Sequence, residues 1–215
     1  METGPRISAI ERQEKKANRR SIFINGRFAL GVDETVVADL GLHVGQQISE
    51  EELQDVVHAE LVNKAKERAL KLLDYRPRSR KEIAQRLVRA DFAEDVVEET
   101  LTRLEDLGFI DDKQFSQGWV NHRLAGKGMG KTRIKWELRQ KGITTEVAEE
   151  ALSAVDADVE YESALESARR RWGKDKDPDE RTRRRRLAGY LRRQGFDWDT
   201  ITKVLNELGA EVEPE

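Results

Sequence analysis

The chain has 215 residues, 38% of them charged and 37% hydrophobic, with 39 Lys and Arg against 42 Asp and Glu and no cysteine. No apolar run approaches the roughly 20 residues a membrane-spanning helix needs, and the opening METGPRISAIERQEKKANRR lacks the apolar centre of a secretory leader. Without cysteine there is neither a disulfide framework nor a thiolate metal site, and the expectation is a cytoplasmic protein without membrane contact.

Residues 1–20 hold few apolar side chains and are expected to be a flexible basic N-terminus. Residues 21–24 and 27–32 flank Asn25-Gly26, the dipeptide best suited to a tight turn because both residues tolerate positive φ, which predicts a hairpin. Asp33 can cap a short helix through Leu40 that Gly41 stops. Ser49-Glu50-Glu51-Glu52 reads as a capping box opening a helix through Leu73, ended by Tyr75-Arg76-Pro77. Residues 21–60 are therefore expected to form a small hairpin-plus-helix segment.

From residue 61 onward the sequence repeats. Ile83, Leu87, Phe92, Val97, Leu101 and Leu104 recur with identical spacing as Ile134, Leu138, Ile143, Ala148, Leu152 and Val155. They recur again as Leu187, Leu191, Phe196, Ile201, Leu205 and Leu208. Each set describes a helix, a turn and a second helix, preceded by an amphipathic stretch: Ala65, Ala69, Leu72 and Leu73; Phe115, Trp119, Val120 and Leu124; Tyr161, Leu165, Ala168 and Trp172. The predicted class is mainly α: three tandem three-helix repeats (61–110, 111–156, 157–209) forming an elongated curved body behind the small hairpin-containing segment, with an acidic tail at 210–215. Repeat 3 has a longer charged loop at 173–180. Thr144 and Asp197 are candidate caps, while Phe92, Phe196, Trp119 and Trp172 fall at core positions.

Charge follows the same period. Successive blocks ending at residues 27, 60, 92, 112, 142, 168, 195 and 215 carry +4, −8, +6, −7, +7, −8, +8 and −5, so each middle helix is basic and each third helix acidic. On a wheel that sets Ile134 and Leu138 toward the core, Trp136 points the opposite way, flanked by Arg133, Lys135, Arg139 and Gln140. An exposed indole ringed by cations can stack on a base or fill a partner's pocket while the cations pair with phosphates or carboxylates. The equivalent helices carry Arg80, Lys81, Arg86 and Arg89, and Arg183, Arg184, Arg185, Arg186, Arg192 and Arg193. A solvated face with Glu-to-Arg pairing is the ordinary alternative.

Tyr75-Arg76-Pro77-Arg78-Ser79 followed by Lys81-Glu82-Ile83 resembles the first module of the RecX family of recombination regulators. Leu107-Gly108-Phe109-Ile110-Asp111-Asp112, with Phe115, Trp119 and Arg123 beyond it, is similar to that family's link to its second module. Gly130-Lys131-Thr132-Arg133-Ile134, Glu137-Leu138 and Lys141-Gly142-Ile143 resemble its central signature. The resemblance covers residues 60–208 and implies a cytoplasmic bacterial protein that binds the RecA recombinase filament on single-stranded DNA and restrains its ATPase, strand-exchange and co-protease activities. Such a protein is expected to act as a monomer, with DNA contacted indirectly or weakly. Arg76, Arg78 and Lys131 then join the cations above in the expected partner surface. The competing reading is a direct nucleic-acid binder with helix-turn-helix-like repeats, disfavoured because the recognition helix would be acidic.

No catalytic, metal or cofactor site is expected. Ala125 through Gly130-Lys131-Thr132 matches a permissive phosphate-loop pattern but follows helical rather than strand spacing. His43, His58 and His122 stand at no metal-ligand spacing.

Overall fold

A computed structural model describes residues 4–14, 16–175 and 179–210. The chain divides into two compact units, residues 1–77 with 83–110, and residues 78–82 with 111–215. No helix among the described residues is long and apolar enough to cross a membrane.

The first unit opens with a three-stranded antiparallel sheet, β1 (Ile7–Gln13), β2 (Lys16–Ile24) and β3 (Arg27–Asp33), in the order β1-β2-β3. Asn25 and Gly26 make the β2–β3 turn at φ 48° and 79°, as that dipeptide predicts. The flexible N-terminus expected for residues 1–20 is corrected, because most of that stretch lies in β1 and β2. It hides from pattern reading because Ile7 is the one buried side chain of β1, the strand being held by its backbone ladder to β2 and by the 45–48 segment. There Gly45 donates to the Ile7 carbonyl, and the Ile7 and Ile48 amides donate to Gln46 and Pro5.

Asp33 caps α1 (Glu34–Asp39), and Ser49 with Glu52 forms both halves of the capping box that opens α2 (Glu50–Tyr75). At 26 residues, α2 serves two cores. Val56 packs beneath the sheet with Ile7, Ile22, Val32, Val36, Leu42 and Ile48, whereas Val62, Ala65 and Ala69 pack against Ile83, Leu87, Val97, Leu101 and Leu104. The division drawn at residues 60 and 61 thus falls inside one continuous helix. The junction is marked by Glu60, 4% exposed, whose carboxylate accepts from the Arg19 guanidinium (2.8 Å) and the Asp33 amide (2.7 Å).

α3 (Arg80–Val88) and α4 (Glu94–Asp106) complete the first repeat. The second repeat is α5 (Asp112–Lys127), α6 (Lys131–Gln140) and α7 (Thr145–Ser153), and the third is α8 (Ala157–Trp172), α9 (Glu180–Gln194) and α10 (Trp198–Ala210). Of the eighteen repeated apolar positions, fifteen are buried, and Phe92, Val155 and Leu205 are half-buried. Each set lies within its own core cluster. Part of the loop expected at 173–180, and all but the first residue of the expected acidic tail, lie outside the described residues.

Glu60→Ala leaves the Asp33 amide and the Arg19 guanidinium without their shared acceptor. It is expected to destabilise the first unit by about 2 to 4 kcal/mol, read as a lower urea midpoint in circular dichroism, with Glu34→Ala near neutral because the Glu34 carboxylate that pairs with Arg20 is itself exposed to water.

Candidate functional site

The first amides of a helix have no partner within it, and in α6 the neighbouring repeat supplies them. The Gly130 amide donates to the Gln194 carbonyl (2.9 Å) and the Thr132 amide to the Gly195 carbonyl (3.2 Å). The Lys131 amide donates to Glu160 of α8 (3.0 Å). The carbonyl end of α9 therefore abuts the amide end of α6, and their opposite partial charges attract.

A join of the same design recurs at residues 79–82, which belong to the second unit. The Ser79 hydroxyl accepts from the Glu82 amide (3.3 Å) and donates to the Lys141 carbonyl (2.6 Å), and the Arg80 amide donates to Asp112 (2.9 Å). Ser79 corresponds to Gly130 and Lys141 to Gln194 in the repeat register. Gly142 and Gly195 follow their helices at φ 84° and 90°, and a methyl group on either would overlap Lys81 or Arg133. Asp91 holds the corresponding left-handed turn at φ 62°, yet is exposed. Glycine is thus required by close approach, over and above the turn it makes.

The joins sort the seventeen residues expected on the partner surface. Lys81, Arg86, Arg89, Trp136, Arg139, Arg185, Arg186, Arg192 and Arg193 are exposed. Arg76, Arg80, Lys131, Arg133, Lys135, Arg183 and Arg184 are half-buried. Arg78 is corrected: at 6% exposed its charge faces the interior.

Several half-buried cations are committed to the fold. Lys131 Nζ donates to the Val155 carbonyl (3.1 Å), and Arg133 reaches the Arg193 carbonyl (3.2 Å) and Glu137 (3.8 Å). Lys135 pairs with Glu149 at 2.5 Å. The Arg183 guanidinium lies 3.9 Å from the Trp172 ring centre. Trp136 is 58% exposed, and Arg139, which reaches across to the Thr145 hydroxyl (3.3 Å), is exposed beside it.

Trp119 packs against the core of its repeat, as read for it, with part of its ring at the surface. It is half-buried and stacked on Phe115, with Arg123 4.2 Å and Lys141 4.1 Å from its ring centre and its indole N–H donating to Glu137 (3.1 Å). Glu137 also accepts from Arg123 (2.6 Å), and Lys141 pairs with Glu82 (3.0 Å). This network stands beside the 79–82 join, so Arg123, Glu137 and Lys141 hold it together. Sequence reading missed Trp198, 63% exposed at the first position of α10; the cap signal at Asp197 was the clue that its neighbour begins a helix.

Tyr161, Asp179 and Glu146 are shifted from their ordinary titration range. Tyr161 is pushed up to about 12, chiefly by its hydrogen bond to Glu207 and then by burial. Asp179 is lowered, first by the Thr182 side chain. Glu146 is lowered, first by a bond from its own backbone and then by Thr144. Each helps secure a helix end or a helix pair.

The phosphate-loop look-alike has no room for a phosphate, because Glu160, Gln194 and Gly195 already occupy the amides at the start of α6. The His58 Nε2–H donates to the Glu99 carboxylate (2.6 Å), with Asp95 at 3.6 Å from Nδ1. That juxtaposition crosses from α2 to α4, which local spacing cannot reveal. Among the described residues no group of three or more His, Cys, Asp or Glu could hold a metal ion.

Serial three-helix domains with basic middle helices, behind a sheet-bearing N-terminal domain, define a helical-repeat protein whose distinctive chemistry lies on its surface. The chain belongs to the RecX family of regulatory proteins. Residues 5–49 match the family's Regulatory protein RecX N-terminal domain, and residues 65–104, 111–152 and 158–205 match its first, second and third three-helix domains. The chain is 32% identical over 202 residues to Regulatory protein RecX of Clostridioides difficile (strain 630), covering 94% of this chain and 95% of the relative. It is 38% identical over 156 residues to that of Amycolatopsis mediterranei (strain U-32), covering 71% and 89%. A crystal structure of regulatory protein RecX superimposes with a TM-score of 0.83 at 27% identity, covering 94% of this chain and 99% of that one. RecX from Lactobacillus salivarius superimposes with a TM-score of 0.65 at 28% identity, covering 71% and 99%.

Gly195→Ala meets both a left-handed turn and the Arg133 backbone, and is expected to destabilise the second unit by about 3 kcal/mol or more. Asp91→Gly, in the same conformation but exposed, is expected to be neutral or to stabilise by about 1 kcal/mol. Urea titrations of the two variants separate close approach from turn preference.

Proposed function

We propose that the chain binds the RecA recombinase filament assembled on single-stranded DNA and restrains its strand-exchange, ATPase and co-protease activities. Trp136 carries the reading: an indole more than half exposed on the outward face of a basic helix, with Arg139 beside it, is the combination that anchors protein interfaces. Membership in a family of regulatory proteins supports it, as does the recurrence of exposed cations on α3 and α9. The joins also give the reading a mechanism, because helices locked end to carbonyl end present their cations in a fixed register.

The acidic starts of the third helices weigh against direct sequence readout of duplex DNA. Glu94 and Asp95, Glu146, and Asp199 occupy the first turns of α4, α7 and α10, the part of a recognition helix that would enter the major groove between the phosphate backbones.

Trp136→Ala is expected to weaken binding to a recombinase filament on an oligonucleotide by about 2 kcal/mol or more, with urea stability unchanged. Trp119→Ala removes the ring between Arg123 and Lys141 and is expected to destabilise by about 3 kcal/mol. If Trp136→Ala unfolds the domain while binding per folded molecule persists, the face is not the contact. Filament affinity should also fall steeply from low to physiological salt, since several cations are engaged. A salt-independent affinity removes the electrostatic part of the reading, and equal affinity for bare single-stranded DNA redirects it to nucleic acid alone.

A further inference from the structure

The second unit carries another surface, opposite in sign to the one just described. α5 and α8 run side by side in the same direction, tied where the Ser163 hydroxyl donates to the Leu124 carbonyl (2.9 Å), and where Gly128 comes so close to Ser167 that a methyl group on it would overlap that side chain. Along this pair lies an open groove of about 640 Å³. Its floor is apolar, with buried Leu124, exposed Ala125, and Val159, which is 51% exposed. Its rim is acidic: Asp158, Glu162 and Glu166 follow one another at single-turn spacing on α8.

These groups differ from the acids that the fold consumes. Glu160, on the same helix, is buried and caps α6. Glu166 pairs with Arg170 (2.9 Å), whereas Asp158 and Glu162 are exposed and have no ion pair among the described residues. The rim's one cation, Arg169, is drawn to Glu207 (3.2 Å). Asp158 also borders a second cavity, where Asp197, Asp199 and Glu207 stand with Lys131 and Lys203, so the negative charge of the groove is that of its α8 rim.

We propose that this α5–α8 groove docks a helical segment of a partner protein that carries Lys or Arg beside an apolar stripe. Charge complementarity selects the occupant. A negative rim repels nucleic acid and anionic lipid surfaces, and a bare cation leaves Val159 exposed to water. The spacing selects a helix: three carboxylates on successive turns span about 12 Å, matching cations on one flank of a partner helix whose apolar side lies on Leu124, Ala125 and Val159. The surface is separate from the Trp136 face, so it serves a second, simultaneous contact of the regulator.

The test uses the full chain, isotopically labelled, and a synthetic amphipathic Leu/Lys peptide of about 14 residues, four turns of helix. The control is the same composition scrambled to break its apolar stripe. Backbone amide shifts are expected to cluster at residues 121–125 and 158–166, and the scrambled peptide to bind at least roughly tenfold more weakly, one apolar side chain's burial being lost. Asp158→Asn with Glu162→Gln is expected to weaken binding about fivefold, as is Val159→Ser, while Trp136→Ala leaves it unchanged. Equal binding of the scrambled peptide, or shifts confined to other helices, overturns the proposal without a variant having to fold. Concentration-dependent self-association abolished by Glu162→Lys, with no peptide binding, overturns it in favour of a second copy of this chain.

Discussion

A helix ends in amides and carbonyls that nothing inside it can satisfy, and the second unit is organised around bringing such ends together. The start of α6 receives the carbonyls of Gln194 and Gly195 and the carboxylate of Glu160. The segment beginning at Ser79 receives the carbonyl of Lys141 and the carboxylate of Asp112. Each join combines neutral hydrogen bonds, a charge-assisted bond and favourable dipole alignment. Such a contact fixes both distance and direction, which apolar packing between short helices does less strictly. The left-handed glycines at 142 and 195 follow from it, as does the burial of Glu160.

The same constraint decides which charges remain for a partner. Positions near a join are spent on it: Lys131 turns to the Val155 carbonyl, Arg133 to the Arg193 carbonyl and Lys141 to Glu82. Other positions on the same helices, such as Arg139, Arg185 and Arg192, stay exposed. A basic stretch in this sequence is therefore two populations interleaved, one structural and one outward-facing. The distinction is set by the face of the helix on which each side chain lies.

This explains which features could be read from sequence alone. The apolar positions of the repeats, the caps at Asp33, Ser49, Thr144 and Asp197, and the outward face of Trp136 are local consequences of helical period and cap chemistry. Arg78 could not be placed, because its burial arises from tertiary packing of a residue that lies outside any helix. β1 escaped notice for a related reason: its stability resides in backbone pairing with β2 and with the 45–48 segment, and pairing leaves no periodic trace when a single side chain is buried. The contact between His58 and Glu99 joins positions 41 residues apart. No local pattern encodes it.

Alternation of charge along the chain becomes separation of charge in space. The middle helices put their spare cations outward with Trp136, whereas α8 puts Asp158 and Glu162 beside the apolar groove it forms with α5. Where both signs share a helix, residues four apart pair and neutralise one another, as Glu166 and Arg170 do on α8 and Glu180 and Arg184 on α9. Asp158 and Glu162 have no such ion pair among the described residues and keep their charge. A nearly neutral chain thereby retains exposed surfaces of both signs, which a net charge of −3 does not disclose.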